Sequence, residues 1–347
     1  MKRKAAATGP ATMEDVARAA GVSRMTVSRA LRKDSPVSKK TRERILSIVK
    51  EMNYLPDQLA GTLSTKKSGF VATLLPSLNN LHFALTVQSL TAELERDGLQ
   101  ILLGHTNYSP IHEEELVQAM LRRRPEAIVL SYDGHTERTR ELIELSDIPV
   151  VEIWEIPEDP IGHTVGFSNR DESYALTAEL IALGYTKLTY VGENDDDFTR
   201  GAKRREGFED AMRAHGLDSM RQVRFGPPPM SIDAGAGVVP ELLERFPDTD
   251  CAVCVSDMAA FGVQSALISS GRSVPEDIGV AGFGNFEVSR FAQPALTTVG
   301  VDPEGIGTQA GRLISRLLNE AVGAVESPQQ IKVGTTLLFR DSTRQKP

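Results

Sequence analysis

The length and composition of the chain exclude several classes of protein. With 347 residues, 40% of them hydrophobic and 25% charged, the chain is too long for one ordinary domain and has the balance of a globular protein. No apolar run approaches the roughly 20 residues that a membrane span needs, and residues 1–12 lack the apolar core of a signal peptide. Two cysteines cannot form a disulfide framework. We therefore expect a cytoplasmic protein of two or three domains with no membrane partner.

The charge is distributed unevenly along the chain. Residues 1–67 contain 15 Lys and Arg against 6 Asp and Glu, a net charge of +9. The whole chain nevertheless carries −8, so the other residues are strongly acidic. A basic segment on an acidic body indicates either a polyanionic partner at one end or a solvated charged extension. The basic segment is also patterned to fold, which favours the partner.

The first predicted elements are three short helices within residues 12–53. Thr12 caps the first helix, with the acid Asp15 at the third helical position. Gly21 ends it. Ser23 caps a second helix over 24–32, and Ser38 caps a third helix whose apolar positions recur at helical spacing.

The first two helices have the features of a helix-turn-helix DNA-binding motif. Such a motif needs a small residue in a tight turn and apolar residues that fix the angle between the helices. Ala20, Gly21, Val22 and Val27 meet these needs. The second helix then presents polar side chains to the bases and phosphates of a major groove. The residues predicted to bind DNA here are Ser23, Arg24, Met25, Thr26, Ser28 and Arg29, together with Thr12.

From residue 70 onward, strand-like and helical patterns alternate. Apolar runs lie at 70–75, 100–103, 127–130, 150–153, 188–191, 252–255 and 280–283. Amphipathic stretches separate most of them, at 83–96, 113–124, 138–146, 172–183, 204–214, 235–245 and 258–270. This alternation predicts an α/β fold of parallel strands covered by helices, and some ten strands suggest two sheets.

The pattern T-x-x-D-V-A-x-x-A-G-V-S-x-x-T-V-S-R-x-L over residues 12–31 closely resembles the lac-repressor family of transcription regulators. The resemblance continues at Pro56, Ala60 and Leu63, which match a hinge helix that wedges paired leucines into the minor groove. It therefore adds Ala60 and Leu63 to the DNA-binding residues. Gly61 departs from the arginine often found there, and glycine lowers helix propensity by up to ~1 kcal/mol.

The family's fold implies three parts of the chain. A helix-turn-helix domain would cover 1–54, a hinge helix and linker 55–68, and an effector-binding and dimerisation domain 69–347. This last domain is similar to periplasmic sugar-binding proteins, with two α/β subdomains and the ligand in the cleft between them. We expect an N-subdomain of about 69–167 and 300–326, and a C-subdomain of about 168–299 and 327–347. A homodimer, possibly a higher oligomer, would bind a pseudo-palindromic double-stranded operator.

Three motifs, Leu-Leu-Pro-Ser-Leu-x-Asn, Val-Gly-Phe-x-Asn and Ala-Gly-Phe, look more narrowly like the gluconate-utilisation repressors. Arg204 matches the arginine of the family's effector motif, and a guanidinium fork suits a carboxylate. Where many members have an aspartate, this chain has Gly284 followed by Asn285, which favours an anionic effector such as gluconate. The predicted effector-binding residues are His82, Phe83, Trp154, Asn169, Arg204, Ser256, Asp257 and Asn285.

Several alternatives stay open at this point. Arg204 alone would be taken for a surface arginine, and His82 and Phe83 would also suit a helix N-terminus packed on a sheet. Trp154 is either a sugar-stacking wall or a core residue. The pair Cys251 and Cys254 lies in an apolar strand, which indicates a buried pair rather than a redox or zinc site.

The sequence predicts a ligand-responsive repressor, with no enzymatic activity, cofactor or metal. Other regulators of the family sense different sugars or metabolites, so another effector is an alternative. A further alternative is a cytoplasmic sugar-binding protein or carbohydrate-acting enzyme whose N-terminal helices only mediate protein contacts.

Overall fold

The computed structural model describes residues 11–31, 36–55, 68–131, 134–194, 199–319 and 327–346. The chain divides into two compact units, a helical unit (residues 1–68) and a two-sheet unit (residues 69–347). The hinge residues Pro56, Ala60, Gly61 and Leu63 lie outside the described residues.

The helical unit contains α1 (Met13–Ala20), α2 (Arg24–Ala30) and α3 (Lys39–Glu51). The predicted caps are confirmed, since the side chains of Thr12, Ser23 and Ser38 each accept a hydrogen bond from a backbone N–H of the first turn. Gly21 ends α1 in the left-handed region with a φ of 60°, which an L side chain rarely adopts. These local signals fix where the helices begin and turn.

A small apolar core holds the three helices together. Its buried members come from all three helices and from the segment that follows α3, so the amphipathic faces converge on one point. They are Val16, Ala17, Ala20, Val27, Ala30, Ile45 and Tyr54. The opposite face of α2 is left exposed.

The two-sheet unit is built on two six-stranded sheets, which confirms the predicted α/β class. The first has the strand order β11-β5-β4-β3-β1-β2, and all its pairs are parallel. Its strands are β1 (Phe70–Leu75), β2 (Gln100–His105), β3 (Ala127–Ser131), β4 (Val150–Ile153), β5 (His163–Gly166) and β11 (Gln330–Lys332).

The second sheet has the order β12-β10-β9-β8-β6-β7, and only the β10–β12 pair is antiparallel. Its strands are β6 (Leu188–Gly192), β7 (Gln222–Arg224), β8 (Cys251–Cys254), β9 (Gly279–Gly284), β10 (Thr297–Gly300) and β12 (Thr336–Leu338). The central strands of both sheets are buried along their whole length, as parallel strands covered on both faces must be.

Helices cover these sheets. They are α4 (Leu81–Leu94), α5 (Pro110–Leu121), α6 (Glu137–Glu144), α7 (Asn169–Ala182), α8 (Arg200–Ala214), α9 (Ile232–Gly237), α10 (Val239–Arg245), α11 (Asp257–Ser269), α12 (Glu287–Phe291) and α13 (Pro303–Asn319). Among the described residues, no helix is long and apolar enough to cross a bilayer.

The chain passes between the two sheets three times, and the last passage differs from our expectation. We placed residues 327–347 in the C-subdomain, but Gln330–Lys332 pairs in parallel with β5 of the first sheet. The final passage therefore lies between β11 and β12. Edge strands of three residues carry too little apolar pattern to be assigned from sequence, because one exposed side needs no hydrophobic side chains.

Candidate DNA-binding helix and effector cleft

The exposed face of α2 presents the side chains that the sequence predicted to read DNA. Met25 is 63% exposed, so α2 presents a large apolar side chain to solvent. The side chain of Arg24 is 69% exposed and lies 3.9 Å from Glu14, an exposed ion pair that contributes little stability. Arg29 is also exposed, and Ser28 is half-buried. The helix thus offers a cation and an apolar group side by side.

The hydroxyl groups at the helix starts are already engaged in capping. Thr12 Oγ1 donates to Asp15 Oδ2 at 2.6 Å and accepts from the Asp15 backbone at 3.3 Å. Ser23 Oγ accepts from the Thr26 backbone at 3.2 Å and lies 2.9 Å from Thr26 Oγ1. These residues orient the helices, and any phosphate contact by them would share the same oxygen atoms.

The two sheets of the two-sheet unit enclose a cavity of about 120 Å³. Five of the eight predicted effector-binding residues line it, namely His82, Phe83, Trp154, Arg204 and Ser256. His82 and Phe83 lie at the start of α4, on the side of the first sheet, whereas Arg204 lies on α8, next to the second. The cavity therefore lies where the side chains of the two subdomains meet.

Arg204 is held in place on two sides before any ligand is considered. Its Nε donates to Asn169 Oδ1 at 2.8 Å, and its Nη1 donates to the carbonyl oxygen of Val255 at 2.8 Å. The guanidinium carbon lies 3.8 Å from the centre of the Phe283 ring, which covers one face. A guanidinium fixed in this way is preorganised for an anion.

A second arginine, Arg200, precedes Arg204 by one helical turn and also lines the cavity. Its Nη1 donates to Ser131 Oγ at 2.7 Å, and its guanidinium carbon lies 5.2 Å from the centre of the Phe83 ring. Burial, and then the charge of Arg200, lower the pKa of Arg204 to about 10, so Arg204 is a cation at pH 7. Glu193 is the carboxylate on the cavity wall, where its Oε1 accepts from the Met230 backbone at 3.0 Å.

Aromatic rings form the other wall. The His82 ring stacks on the Phe286 ring with centroids 3.8 Å apart, and the Trp154 ring lies 5.9 Å beyond it with nearly the same orientation. Burial, and then the charge of Arg204, lower the pKa of His82 to about 4, so its imidazole is neutral at pH 7. Trp154 has a φ of 76°, and backbone strain of this kind is concentrated at functional sites. Its buried Nε1 has no hydrogen-bond partner among the described residues.

Three predicted effector-binding residues do not line the cavity in this structure. Asn169 is fully buried, with Oδ1 on Arg204 and Nδ2 donating to the Trp154 carbonyl at 3.0 Å. Asp257 is also fully buried, and its carboxylate accepts from Thr298 Oγ1 and the Phe286 backbone. Asn285 Oδ1 accepts from Arg340 at 2.7 Å. Each amide or carboxylate is used to position a neighbour of the cavity.

Sequence reasoning missed several residues of the cavity wall. Arg200 could have been found, because it lies four residues before Arg204 and therefore on the same helix face. Most of the others come from loops or helix starts whose positions depend on the whole fold, and Met258 lies in the first turn of α11. They include Asn80, Tyr108, Glu193, Thr199, Pro228, Pro229, Met230, Met258 and Phe286.

Comparison with known proteins assigns the class of the molecule. Residues 12–57 match the model of the bacterial regulatory proteins of the lacI family, and residues 177–343 match a periplasmic binding protein-like domain. The HTH-type transcriptional regulator GntR of Escherichia coli strain K12 is 31% identical over 326 residues, 94% of this chain and 96% of that protein. The chain therefore belongs to the lacI family, whose members are DNA-binding transcriptional regulators rather than enzymes.

Two further proteins, one relative by sequence and one solved structure, are also similar to most of this chain. The regulator IdnR of the same Escherichia coli strain is 33% identical over 331 residues, 94% of this chain and 98% of its own length. A solved structure of a LacI family transcriptional regulator from Silicibacter pomeroyi is 56% identical, with a TM-score of 0.77, and covers 80% of this chain and all of its own. Both the sequence and the fold of the two-sheet unit thus have close counterparts.

Proposed function

We infer that this regulator is a repressor that binds a pseudo-palindromic operator as a homodimer in the cytoplasm, and that its effector is a small hydroxylated carboxylate. Gluconate, or a close derivative, fits best. The observation that carries this inference is the pair of guanidinium groups, Arg200 and Arg204, on one wall of a small buried cavity.

The charge balance of the cavity favours an anion. Two cations and one carboxylate, Glu193, line the wall, so a carboxylate entering it would meet a net positive charge. Burying a carboxylate without a cationic partner is strongly unfavourable. A neutral sugar would bring no charge to balance this wall. The charge of the cavity wall therefore favours binding of a sugar acid over binding of a neutral sugar.

The remaining wall suits the hydroxylated part of such a ligand. The unpartnered Nε1 of Trp154 is a donor for a hydroxyl or carboxylate oxygen, and an unsatisfied buried N–H costs roughly 1–3 kcal/mol. Ser256 adds a hydroxyl group at the N-terminus of α11. The name of the GntR relative agrees with the resemblance to gluconate repressors stated above.

On the DNA side, we assign base contacts to Arg24 and Met25, because their side chains are exposed together near the N-terminus of α2. Thr12, Ser23, Thr26, Ser28 and Arg29 would contact phosphates or neighbouring bases. Ala60 and Leu63 would enter the minor groove if the hinge follows the family pattern.

Isothermal titration calorimetry tests the effector assignment. Gluconate should bind at micromolar levels, whereas glucose, a neutral sugar with a hemiacetal ring carbon in place of the carboxylate, should give no heat. Binding of glucose or a nucleobase with no heat from gluconate would contradict the sugar-acid assignment and leave the regulator assignment standing.

A further inference from the structure

One contact joins the two subdomains directly across the effector cavity. His82 begins α4, which follows a strand of the first sheet, and Phe286 follows β9 of the second sheet. Their rings lie parallel to within 17° and 3.8 Å apart at their centroids. With Trp154 beyond His82, three aromatic rings form a continuous stack from one subdomain to the other.

The turn that carries Phe286 is held rigidly by groups behind the cavity. The Phe286 backbone N–H donates to Asp257 Oδ2 at 2.7 Å, and Asp257 Oδ1 in turn accepts from Thr298. Arg340 donates to the side chain of Asn285 at 2.7 Å, and Asn285 itself has a φ of 56°. Two residues that we had assigned to the ligand are therefore used to aim the Phe286 ring.

Gly284 supplies the space that the stack needs. A Cβ atom at this position would lie 2.7 Å from the Phe286 ring and 3.2 Å from His82 Cε1. Contacts under 3 Å are not tolerated without movement, and the φ of 126° is itself unfavourable for an L side chain. The Phe286 ring thus occupies the space that a side chain at position 284 would need.

The stack leaves too little room for an effector. The cavity beside it measures about 120 Å³, whereas sites for small molecules usually enclose ~300–1,000 Å³. A six-carbon sugar acid needs a larger space than this, and separating the two rings would enlarge the cavity. The neutral state of His82 at pH 7 agrees with this arrangement, since a stacked imidazolium would have to be buried beside Arg204.

We propose that Phe286 and His82 form an aromatic latch that holds the cleft closed in the absence of effector, and that the effector binds by separating the two rings. The proposal rests on the proposed function only in taking this cavity as the effector site. In this proposal Phe286 is a positioning residue for cleft closure. We had expected this turn to contact the ligand through a polar side chain.

The latch is testable without any ligand, because Trp154 is the only tryptophan of the chain and lies in the stack. Acrylamide quenching of its fluorescence is measured on the full-length, ligand-free wild type, Phe286→Ala and Phe286→Leu. Operator affinity of the same proteins is measured on a duplex that the wild type selects from a random pool. Phe291→Ala is the matched control, since Phe291 is 74% exposed on α12 and does not contact the stack.

We expect Phe286→Ala to make Trp154 more accessible to acrylamide and to change operator affinity by roughly 2- to 13-fold, the range that an aromatic pair contributes. Phe286→Leu keeps apolar volume and replaces Phe286→Ala if that protein proves too unstable to measure. It should show the same two changes, greater quenching of Trp154 and a changed operator affinity. Phe291→Ala should match the wild type. Greater quenching with unchanged operator affinity would overturn the latch, because the contact would then be local packing only.

Unchanged quenching in a folded Phe286→Ala protein would overturn the latch as well.

In a second experiment, gluconate binding is measured on the wild type and on Phe286→Ala. The latch predicts tighter gluconate binding to Phe286→Ala than to the wild type, because the ring no longer competes with the ligand, whereas weaker binding contradicts it. If gluconate binds neither protein, the proposed effector fails, while the ligand-free comparison still decides the latch.

Discussion

The helix α2, which we propose contacts DNA bases, and the cavity, which we propose binds the effector, use similar side chains in opposite ways. On α2, Arg24 and Met25 are mostly exposed and keep their rotational freedom. In the cavity, Arg204 is fixed by two hydrogen bonds and a ring face, and His82 is only 8% exposed. DNA makes many contacts, which can compensate for the ordering of flexible side chains on binding. A small ligand makes few contacts and therefore needs a site whose side chains are already in place.

The two regions also differ in the interactions that stabilise them. The helical unit depends on caps and a small core, so single substitutions there have modest effects. The two-sheet unit contains buried charges whose partners come from distant parts of the chain, and removing one partner leaves the other unsatisfied. The expected effects below therefore decrease from the cavity to the helix caps.

The largest effect is expected from Arg204→Met. A buried carboxylate that loses its cationic partner costs ~2–5 kcal/mol of binding free energy, so gluconate binding should fall below detection by calorimetry. Operator affinity in the absence of gluconate should stay within a fewfold of the wild type. The matched control is Arg138→Met, since Arg138 is an exposed arginine on α6. Full gluconate binding by a folded Arg204→Met protein would show that the anion lies elsewhere.

A second effect should appear as a pH dependence of the two-sheet unit. His135 is buried between Glu113 and Glu152, with ring nitrogen to carboxylate distances of 2.5 and 3.2 Å. Burial alone would lower the pKa of His135, but the two carboxylates raise it to about 9. Because the folded pKa lies above the ordinary value of 6.5, the stabilisation is complete below pH 6.5 and is lost as the pH rises through about 9.

Urea unfolding followed by Trp154 fluorescence should therefore show a free energy of unfolding that is lower at pH 9.5 than at pH 6.5, by on the order of 2–3 kcal/mol. His112→Gln should keep this dependence, because His112 is an exposed residue paired with Glu115. His135→Gln should be less stable at pH 6.5 and lose most of the slope. An unchanged slope in His135→Gln would assign the pH dependence to other groups.

On the recognition helix, Arg24→Ala and Met25→Ala should change which bases are preferred at one or two operator positions, by ~1–3 kcal/mol each. Competition binding with a panel of single-base operator variants measures this. Arg18→Ala is the control, since Arg18 is exposed on α1 and paired with Asp15. If the α2 variants weakened binding equally for every sequence, α2 would not be the helix that contacts base edges.

The smallest effect is expected at the cap of α1. Thr12→Ala removes both side-chain hydrogen bonds with Asp15 and should destabilise α1 by ~1 kcal/mol, seen as faster amide hydrogen exchange. Thr12→Ser keeps the hydroxyl group and should behave as the wild type. Equal exchange in all three proteins would mean that the core alone holds α1 in place.

These regions also differ in how far their structure followed from the sequence. The helix starts at Thr12, Ser23 and Ser38 were predicted correctly because a cap is decided within four residues. Seven strands were predicted from apolar runs, as expected for parallel strands that are mostly buried. Five others were not among those runs, since they are only three or four residues long: His163–Gly166, Gln222–Arg224, Thr297–Gly300, Gln330–Lys332 and Thr336–Leu338.

Arg204 and His82 were predicted from sequence motifs, but the arrangement of the residues around them in the cavity was not. The distances that matter join residues far apart in sequence, such as His82 with Phe286 and Arg200 with Ser131. Asp257 was assigned to the ligand because the resemblance to the family places this position at the cleft. Its burial against Thr298 depends on the packing of β10, which no local pattern encodes.

The central claim is that a sugar acid in the cleft of the two-sheet unit controls DNA binding by the helical unit. Fluorescence anisotropy of a labelled operator duplex, titrated with the wild-type protein with and without gluconate, tests it most directly, with glucose as the control. We predict that gluconate changes the Kd for the operator by roughly 5- to 150-fold, the range of a coupling of ~1–3 kcal/mol, and that glucose does not. An operator Kd that is the same with saturating gluconate as without it would contradict the claim.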